Sequence, residues 1–312
     1  MKTRQLGNTE VAVSEIGLGC NNFGMRIDAA QTEAVVHTCL DSGITFFDTA
    51  DLYGGGRSEE FLGNALGTRR QDIVVATKFG GMAKSRGETG FGSPEAVIAC
   101  AEASLRRLST DYIDVYQMHY PDPDTPIADT LGALDGLIRE GKIRATGSSN
   151  FDALQIETAA GVPVENSFAS AQNEWSLLNR DIETEVVPAC EAAGVSMIPF
   201  FPLASGMLTG KYRRGEDFSE GTRLAAMDYF ASVATDANYS RVEALSEVAR
   251  DFDRTLLELA LAWLCAQDCV ASVIAGATRP EQVNENASSS ERPLSWEELE
   301  AIEAALEAAA HG

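Results

Sequence analysis

The chain has 312 residues, of which 24 are Lys or Arg and 47 are Asp or Glu, giving a formal net charge of −23. Such a field repels phosphate backbones and anionic lipid, which sets nucleic-acid and membrane partners aside, although a local basic pocket could still admit an anionic cofactor. Hydrophobic residues make up 45%, enough for a large core, and the most apolar stretch, Leu256 to Cys265, carries Glu258 and is too short to span a bilayer.

Residues 1–13 alternate in polarity instead of forming an apolar signal segment. Lys2–Val13 reads as a hairpin. After it, apolar or β-branched runs alternate with amphipathic patterns. The runs predict strands at Glu15–Gly19, Thr45–Thr49, Ile73–Lys78, Tyr112–His119, Ile143–Ser148, Phe168–Asn173, Ser196–Pro202 and Ala271–Gly276. Helical patterns lie near 30–42, 58–66, 93–107, 127–140, 152–160, 181–193, 240–266 and 280–289. Ser93-Pro94-Glu95 offers an N-cap followed by a proline at the first helical position. Ser295-Trp296-Glu297-Glu298 is a capping box that opens a last helix running to about Ala310. The connection at 204–239 is long and rich in Gly, Arg and Asp, and such loops are usually functional or mobile.

Eight strands in strict alternation with helices predict an α/β fold, a (β/α)8 TIM barrel. The hairpin would close the barrel floor, and the last helix lies outside the eightfold repeat. No linker or low-complexity tract divides residues 1–312, which reads as one domain. A doubly wound dinucleotide fold would want G-x-G-x-x-G after its first strand. Gly17-Leu18-Gly19-Cys20-Asn21-Asn22 lacks the third glycine, and Gly206–Lys211 is not a P-loop. The six cysteines form no CxxC and no zinc spacing, so no metal site is expected and a reducing cytoplasm fits.

In such a barrel, function lies at the C-terminal ends of the strands. Those positions hold Asp48, with Tyr53 in the loop beyond it, then Lys78, His119, Gly147-Ser148-Ser149-Asn150, Gln172-Asn173 and Gly276-Ala277-Thr278-Arg279. A tyrosine with a reference pKa near 10 is a reluctant acid at neutral pH. A lysine ammonium beside it favours the phenolate, a carboxylate holds that ammonium charged, and a histidine orients a carbonyl oxygen or relays a proton. Singly, each residue has a bland reading: Asp48 as a turn cap, Lys78 as a surface lysine, His119 as structural, Tyr53 as a neighbour of the Gly54-Gly55-Gly56 turn. Jointly, at positions the fold specifies, they form a general-acid assembly.

These segments resemble the aldo-keto reductase family. Phe47-Asp48-Thr49-Ala50-Asp51-Leu52-Tyr53-Gly54 with Glu59-Glu60-Phe61-Leu62-Gly63 is similar to its signature. Val75-Ala76-Thr77-Lys78 resembles its lysine strand, Tyr112 through His119 its histidine strand, and Gly141-Lys142-Ile143-Arg144 with Gly147-Ser148-Ser149-Asn150 its fifth-strand motif. The likeness runs from about residue 3 to 290, in order, and leans toward the bacterial and potassium-channel-β-like branches.

The resemblance implies a catalytic tetrad of Asp48, Tyr53, Lys78 and His119 and a nicotinamide cofactor across the barrel mouth. Ser148, Asn150 and Gln172 would hold its carboxamide, which needs both donors and acceptors. Phe201, in place of the more usual tyrosine, would stack on the nicotinamide. Leu203 would also contact the cofactor; Ser205, Gly206, Leu208 and Lys211 would line the pyrophosphate loop, and Gly276, Thr278, Arg279, Gln282 and Asn286 the adenosine end. Arg279 would pair with a 2′-phosphate, favouring NADP(H) over NAD(H).

The expected activity is reduction of an aldehyde or ketone by hydride transfer, with Tyr53 as general acid. One alternative is an NADP(H)-binding, redox-sensing regulatory subunit with little turnover. Another is a non-redox barrel enzyme using Lys78 as a Schiff base, against which the company of Asp48 and Tyr53 argues. The substrate, the physiological direction and the oligomeric state are not written in the residues.

Overall fold

The computed structural model describes residues 1–218, 223–226 and 231–311; positions 219–222 and 227–230 of the long loop lie outside the described residues. The N-terminal hairpin forms from β1 (Thr3–Gln5) and β2 (Ala12–Ser14), paired antiparallel. Eight parallel strands follow: β3 (Ile16–Gly19), β4 (Phe46–Asp48), β5 (Val74–Phe79), β6 (Ile113–Met118), β7 (Ile143–Ser149), β8 (Phe168–Gln172), β9 (Ser196–Met197) and β10 (Val273–Gly276). Each pairs with its chain neighbour, and β10 returns to pair with β3. Backbone bonds from Met197 N to Cys269 O (2.8 Å) and from Ala271 N to Met197 O (3.0 Å) join β9 to the approach of β10. The fold is the expected (β/α)8 barrel with its hairpin and C-terminal helix.

Strand pleating explains what fills the barrel. Phe46, Ala76, Val115, Ala145, Ala169, Ile198, Ala271 and Ile274 form one buried cluster with Leu6 and Val13 of the hairpin. The hairpin therefore plugs the floor. Gly7, at φ +53, brings its backbone so close to Ala169 that a β-carbon would lie 2.6 Å from the carbonyl oxygen. Two residues further along the same faces stand Asp48, Lys78, Gln117 and Gly147, because side chains two apart share a face. The polar layer at the mouth is thus set by the same periodicity that builds the apolar layer beneath it. A second, larger apolar cluster lies between the strands and the outer helices.

Two expected elements differ. Strand seven was expected over Ser196–Pro202, but its ladder holds only at Ser196–Met197, with a lone bridge from Phe200 to Glu174. Pro199 and Pro202 have no N–H to give to a ladder. The 240–266 pattern is two helices, Asp236–Asp251 and Leu256–Cys265. Asp253 at φ +52 breaks the chain, and a capping box of Thr255 and Glu258 restarts it. The C-terminal capping box forms as expected, with Ser295 N donating to Glu298 (2.7 Å) and Glu298 N donating to Ser295 Oγ (3.2 Å). Ser93 occupies the N-cap position but its hydroxyl makes no capping bond. Among the described residues no helix is long and apolar enough to cross a membrane.

Candidate active site

The mouth of the barrel opens into a cleft of about 890 Å³ lined by the ends of the strands and the loops that follow them. Asp48 is the last residue of β4 and Lys78 the penultimate residue of β5. Lys78 Nζ donates to Asp48 Oδ2 (2.5 Å) and to Thr49 O (3.0 Å). Asp48 Oδ1 accepts from Gln117 Nε2 (3.0 Å) and from Gln172 Nε2 (2.8 Å). The aspartate is thereby fully engaged, and its carboxylate is fixed in one orientation. Gln117 reaches it because β7 carries Gly147 alongside; a β-carbon there would lie 3.0 Å from Gln117 Cγ.

Tyr53 begins a tight turn after β4, in which Gly54 and Gly55 both adopt positive φ. Its ring lies 5.2 Å from Lys78 Nζ and meets His119 edge to face at 5.9 Å. The four residues expected to act together are therefore adjacent. Lys78 sits behind the cleft wall; Asp48, Tyr53 and His119 line it.

Burial governs the proton affinities. It raises the Tyr53 phenol above its ordinary value; Lys78 pulls the other way and Asp48 adds to the rise. The expectation that Lys78 lowers the phenol overall is thus corrected, because desolvation outweighs the ammonium. Burial alone would lower Lys78, but the charges of Asp48 and Tyr53 outweigh it and the ammonium is held above its usual value. Burial, with Lys78 and Lys84 nearby, holds His119 well below the usual imidazole range, so it is neutral at physiological pH.

The signature segment also has structural duties. Glu59, fully buried, accepts from Thr77 Oγ1 (2.6 Å) and pairs with Arg107 (2.5 Å). Ser58 ties Thr49 (2.8 Å) to Cys20 O (2.8 Å). These bonds anchor the turn that carries Tyr53.

The other expected residues fall in three groups. Asn150, Gln172, Phe201 and Leu203 line the cleft near the tetrad. Asn150 Nδ2 donates to His119 O (3.0 Å), and Gln172 spends its amide nitrogen on Asp48 and keeps Oε1 as an acceptor. Ser205, Gly206 and Lys211 line it further along, where Phe201, Ala204 and Ser205 all carry positive φ. Non-glycine residues rarely adopt that conformation, and strain of this kind gathers at ligand sites. Gly276, Thr278, Arg279, Gln282 and Asn286 close the far end. There Gln282 Oε1 accepts from Thr278 N (2.8 Å) and Oγ1 (3.1 Å), and exposed Arg279 lies 3.6 Å from Glu281.

Two expected residues do not reach the cleft. Ser148 is fully buried with its hydroxyl unpartnered, and Leu208 is fully buried in the core between barrel and helices. Ser148 stands on the outward face of β7; Ser149, sharing the face of Ala145 and Gly147, lines the cleft and donates to Gln172 O (3.0 Å). The alternation of side chains along β7 decides between the two serines. Gln117 carries no motif signal of its own; its place two residues beyond inward-facing Val115 brings it to Asp48. Asn22 lines the cleft from the turn after β3, and Arg26, Tyr120 and Thr209 also line it, with no distinguishing sequence signal.

Residues 15–307 match the model of the Aldo/keto reductase family. The chain is 35% identical over 298 residues to a probable voltage-gated potassium channel subunit beta of Arabidopsis thaliana, covering 92% of this chain and 90% of that one. It is 35% identical over 306 residues to probable aldo-keto reductase 1 of Glycine max, covering 96% and 87%. Among solved structures it is similar to aldo-keto reductase AKR11C1 from Bacillus halodurans in its holo form, with a TM-score of 0.79, 35% identity, and 98% and 96% of the two chains covered.

Proposed function

The chain belongs to the aldo/keto reductase family, and from that premise we propose that it is an NADP(H)-dependent oxidoreductase that reduces an aldehyde or ketone, with Tyr53 as the general acid. The observation that carries the reading is the sealed Lys78–Asp48 pair placed against the Tyr53 ring at the floor of the cleft. The donor set fits a dinucleotide. Ser149, Asn150 and Gln172 Oε1 suit a carboxamide, Phe201 offers a stacking face, and Gly206, at φ +96, removes the β-carbon where a phosphate would approach. Lys211 and Arg279 bring positive charge to the wall of an otherwise acidic protein. When bound, the nicotinamide supplies the hydride that reaches the carbonyl carbon.

The chain's own residues supply the proton. Tyr53, held protonated by burial, gives its proton to the carbonyl oxygen as negative charge develops there. Lys78, kept cationic by Asp48, stabilises the phenolate left behind. Neutral His119 presents a ring nitrogen to the same oxygen and orients it. Gln117 and Gln172 keep Asp48 from turning away from Lys78. The test is to titrate the protein with NADPH and NADH and then follow NADPH oxidation over a panel of aldehydes and ketones. Micromolar NADPH binding with carbonyl-dependent oxidation is expected; failure of both dinucleotides to bind would sink the reading.

A second reading is favoured by one observation, the names of relatives described as potassium channel β subunits. It makes the chain a nicotinamide-binding regulatory subunit with little turnover. A stable copurifying partner, together with tight NADPH binding and negligible oxidation across the whole carbonyl panel, would select it.

A further inference from the structure

Behind His119 lies a polar layer that the tetrad does not use. His119 Nδ1 and Asp51 Oδ1 are both sealed from solvent, and among the described residues neither has a hydrogen-bond partner. Buried polar atoms are nearly always paired, so two orphans together call for an explanation. Both lie beside Gly81. A β-carbon on that glycine would collide with His119 Nδ1 and lie 3.0 Å from Asp51 Oδ1. The two atoms are thus no further apart than a single water bridges. Asp51 is anchored from both sides: its N–H donates to Lys78 O (3.1 Å), and its Oδ2 accepts from Met82 N (3.4 Å). With Nδ1 turned inward, the nitrogen of His119 left for the cleft is Nε2.

We propose that Asp51 is a positioning residue that selects the tautomer of His119, and through it the direction in which the cleft works best; this rests on the oxidoreductase reading above. With Asp51 as carboxylate, His119 Nδ1–H donates to Oδ1 through one bridging water. Nε2 then carries a lone pair and accepts from the hydroxyl of an alcohol. With Asp51 protonated, its O–H donates toward Nδ1 and the ring proton resides on Nε2, which donates to a carbonyl oxygen. Passing from the first state to the second takes one proton from solvent. The carboxylate gains it, while the imidazole stays neutral and exchanges its Nδ1 proton for one on Nε2.

The surroundings make Asp51, not His119, the group that titrates. Burial pushes the Asp51 carboxyl up to about 6, with Met82 N–H and Arg107 opposing and Glu59 reinforcing. Cys100 and Tyr116 complete the groups around it. His119 faces Tyr53 and stacks on Tyr120 at 4.7 Å, and its burial, with Lys78 and Lys84 nearby, keeps it neutral. Carbonyl reduction is therefore favoured below about pH 6 and alcohol oxidation above it.

The chain has three histidines, His37, His119 and His311, so ¹⁵N-histidine NMR of the full protein resolves His119 directly, with His37→Gln and His311→Gln variants for assignment. In the wild type the protonated nitrogen is expected to pass from Nε2 to Nδ1 as pH rises from about 5 to about 8. In Asp51→Asn, of nearly the same shape, it is expected to stay unchanged over that range. A wild-type His119 that keeps one tautomer throughout overturns the proposal, as does an Asp51→Asn protein that titrates like the wild type. The ratio of reduction to oxidation rates should fall about tenfold across the wild-type transition beyond what Asp51→Asn shows; identical ratios in the two proteins overturn the directional role. The NMR reading needs no turnover, so it stands apart from failure of the oxidoreductase reading itself.

Discussion

Lys78 Nζ lies 2.5 Å from Asp48 Oδ2, with 0% of the lysine side chain and 2% of the aspartate side chain exposed. Two charges taken out of water at this depth persist only because each compensates the other and because Thr49 O, Gln117 and Gln172 satisfy the remaining bonds. Removing one partner strands the other. Lys78→Met and Asp48→Asn should each cost about 3–5 kcal/mol of folding stability, and the double variant should cost clearly less than both together. Urea denaturation of the four proteins measures this. Additive losses would mean that the two groups do not act as a pair.

Tyr53→Phe removes one hydroxyl from a half-buried ring and leaves the packing against His119 in place. It should lower the single-turnover reduction rate by about 10²–10⁴-fold while leaving NADPH affinity and melting temperature close to wild type. Because burial holds the phenol above its ordinary value near 10, the protonated, active form persists through neutral pH. Tyr53 alone should therefore cause no loss of reduction rate until the solution is strongly alkaline. A Tyr53-dependent fall centred near neutrality would show that Lys78 outweighs burial after all.

The barrel was legible because its physics is periodic. Strand–helix alternation counts eight, and pleating places Asp48, Lys78 and Gln117 above Phe46, Ala76 and Val115 without further information. What was not legible depends on single backbone events. Pro199 and Pro202 cut strand seven to Ser196–Met197, and Asp253 at φ +52 splits the 240–266 pattern. The resemblance alone does not say which of Ser148 and Ser149 faces the mouth; pleating decides it, since Ser149 shares the face of Ala145 and Gly147. The balance of burial against Lys78 at Tyr53 depends on depth in the protein, which no local sequence pattern encodes.

Arg279 stands at the start of the Pro280–Ser288 helix, largely exposed, and among the described residues its one ionic approach is to Glu281 at 3.6 Å. A guanidinium so weakly held is available to a phosphate dianion, and charge-assisted bonds of that kind contribute about 1.5–3 kcal/mol. Arg279→Ala should weaken NADPH binding about 10- to 100-fold and change NADH binding by less than about twofold. Tryptophan-fluorescence titrations with both dinucleotides decide it. Equal losses for the two would remove Arg279 from any role at a 2′-phosphate.

The C-terminal helix is pinned by a second buried pair. Arg254 Nε donates to Glu298 Oε1 (2.5 Å), and Arg254 also donates to Arg292 O (2.7 Å) and Pro293 O (3.1 Å). Burial alone would raise Glu298, but Arg254 and the Ser295 capping bonds outweigh it and hold the carboxyl down at about 2. A depressed folded pKa gives stability that is present above the ordinary glutamate range and is lost as pH falls through the folded value. The pair should therefore contribute on the order of 3 kcal/mol at neutral pH, draining away between about pH 4.5 and pH 2. Glu298→Gln should lower wild-type stability at pH 7 and flatten the acid limb of its stability profile. Denaturant melts of both proteins at pH 7, 4 and 3 test this, and parallel profiles would show that Glu298 has no part in acid unfolding.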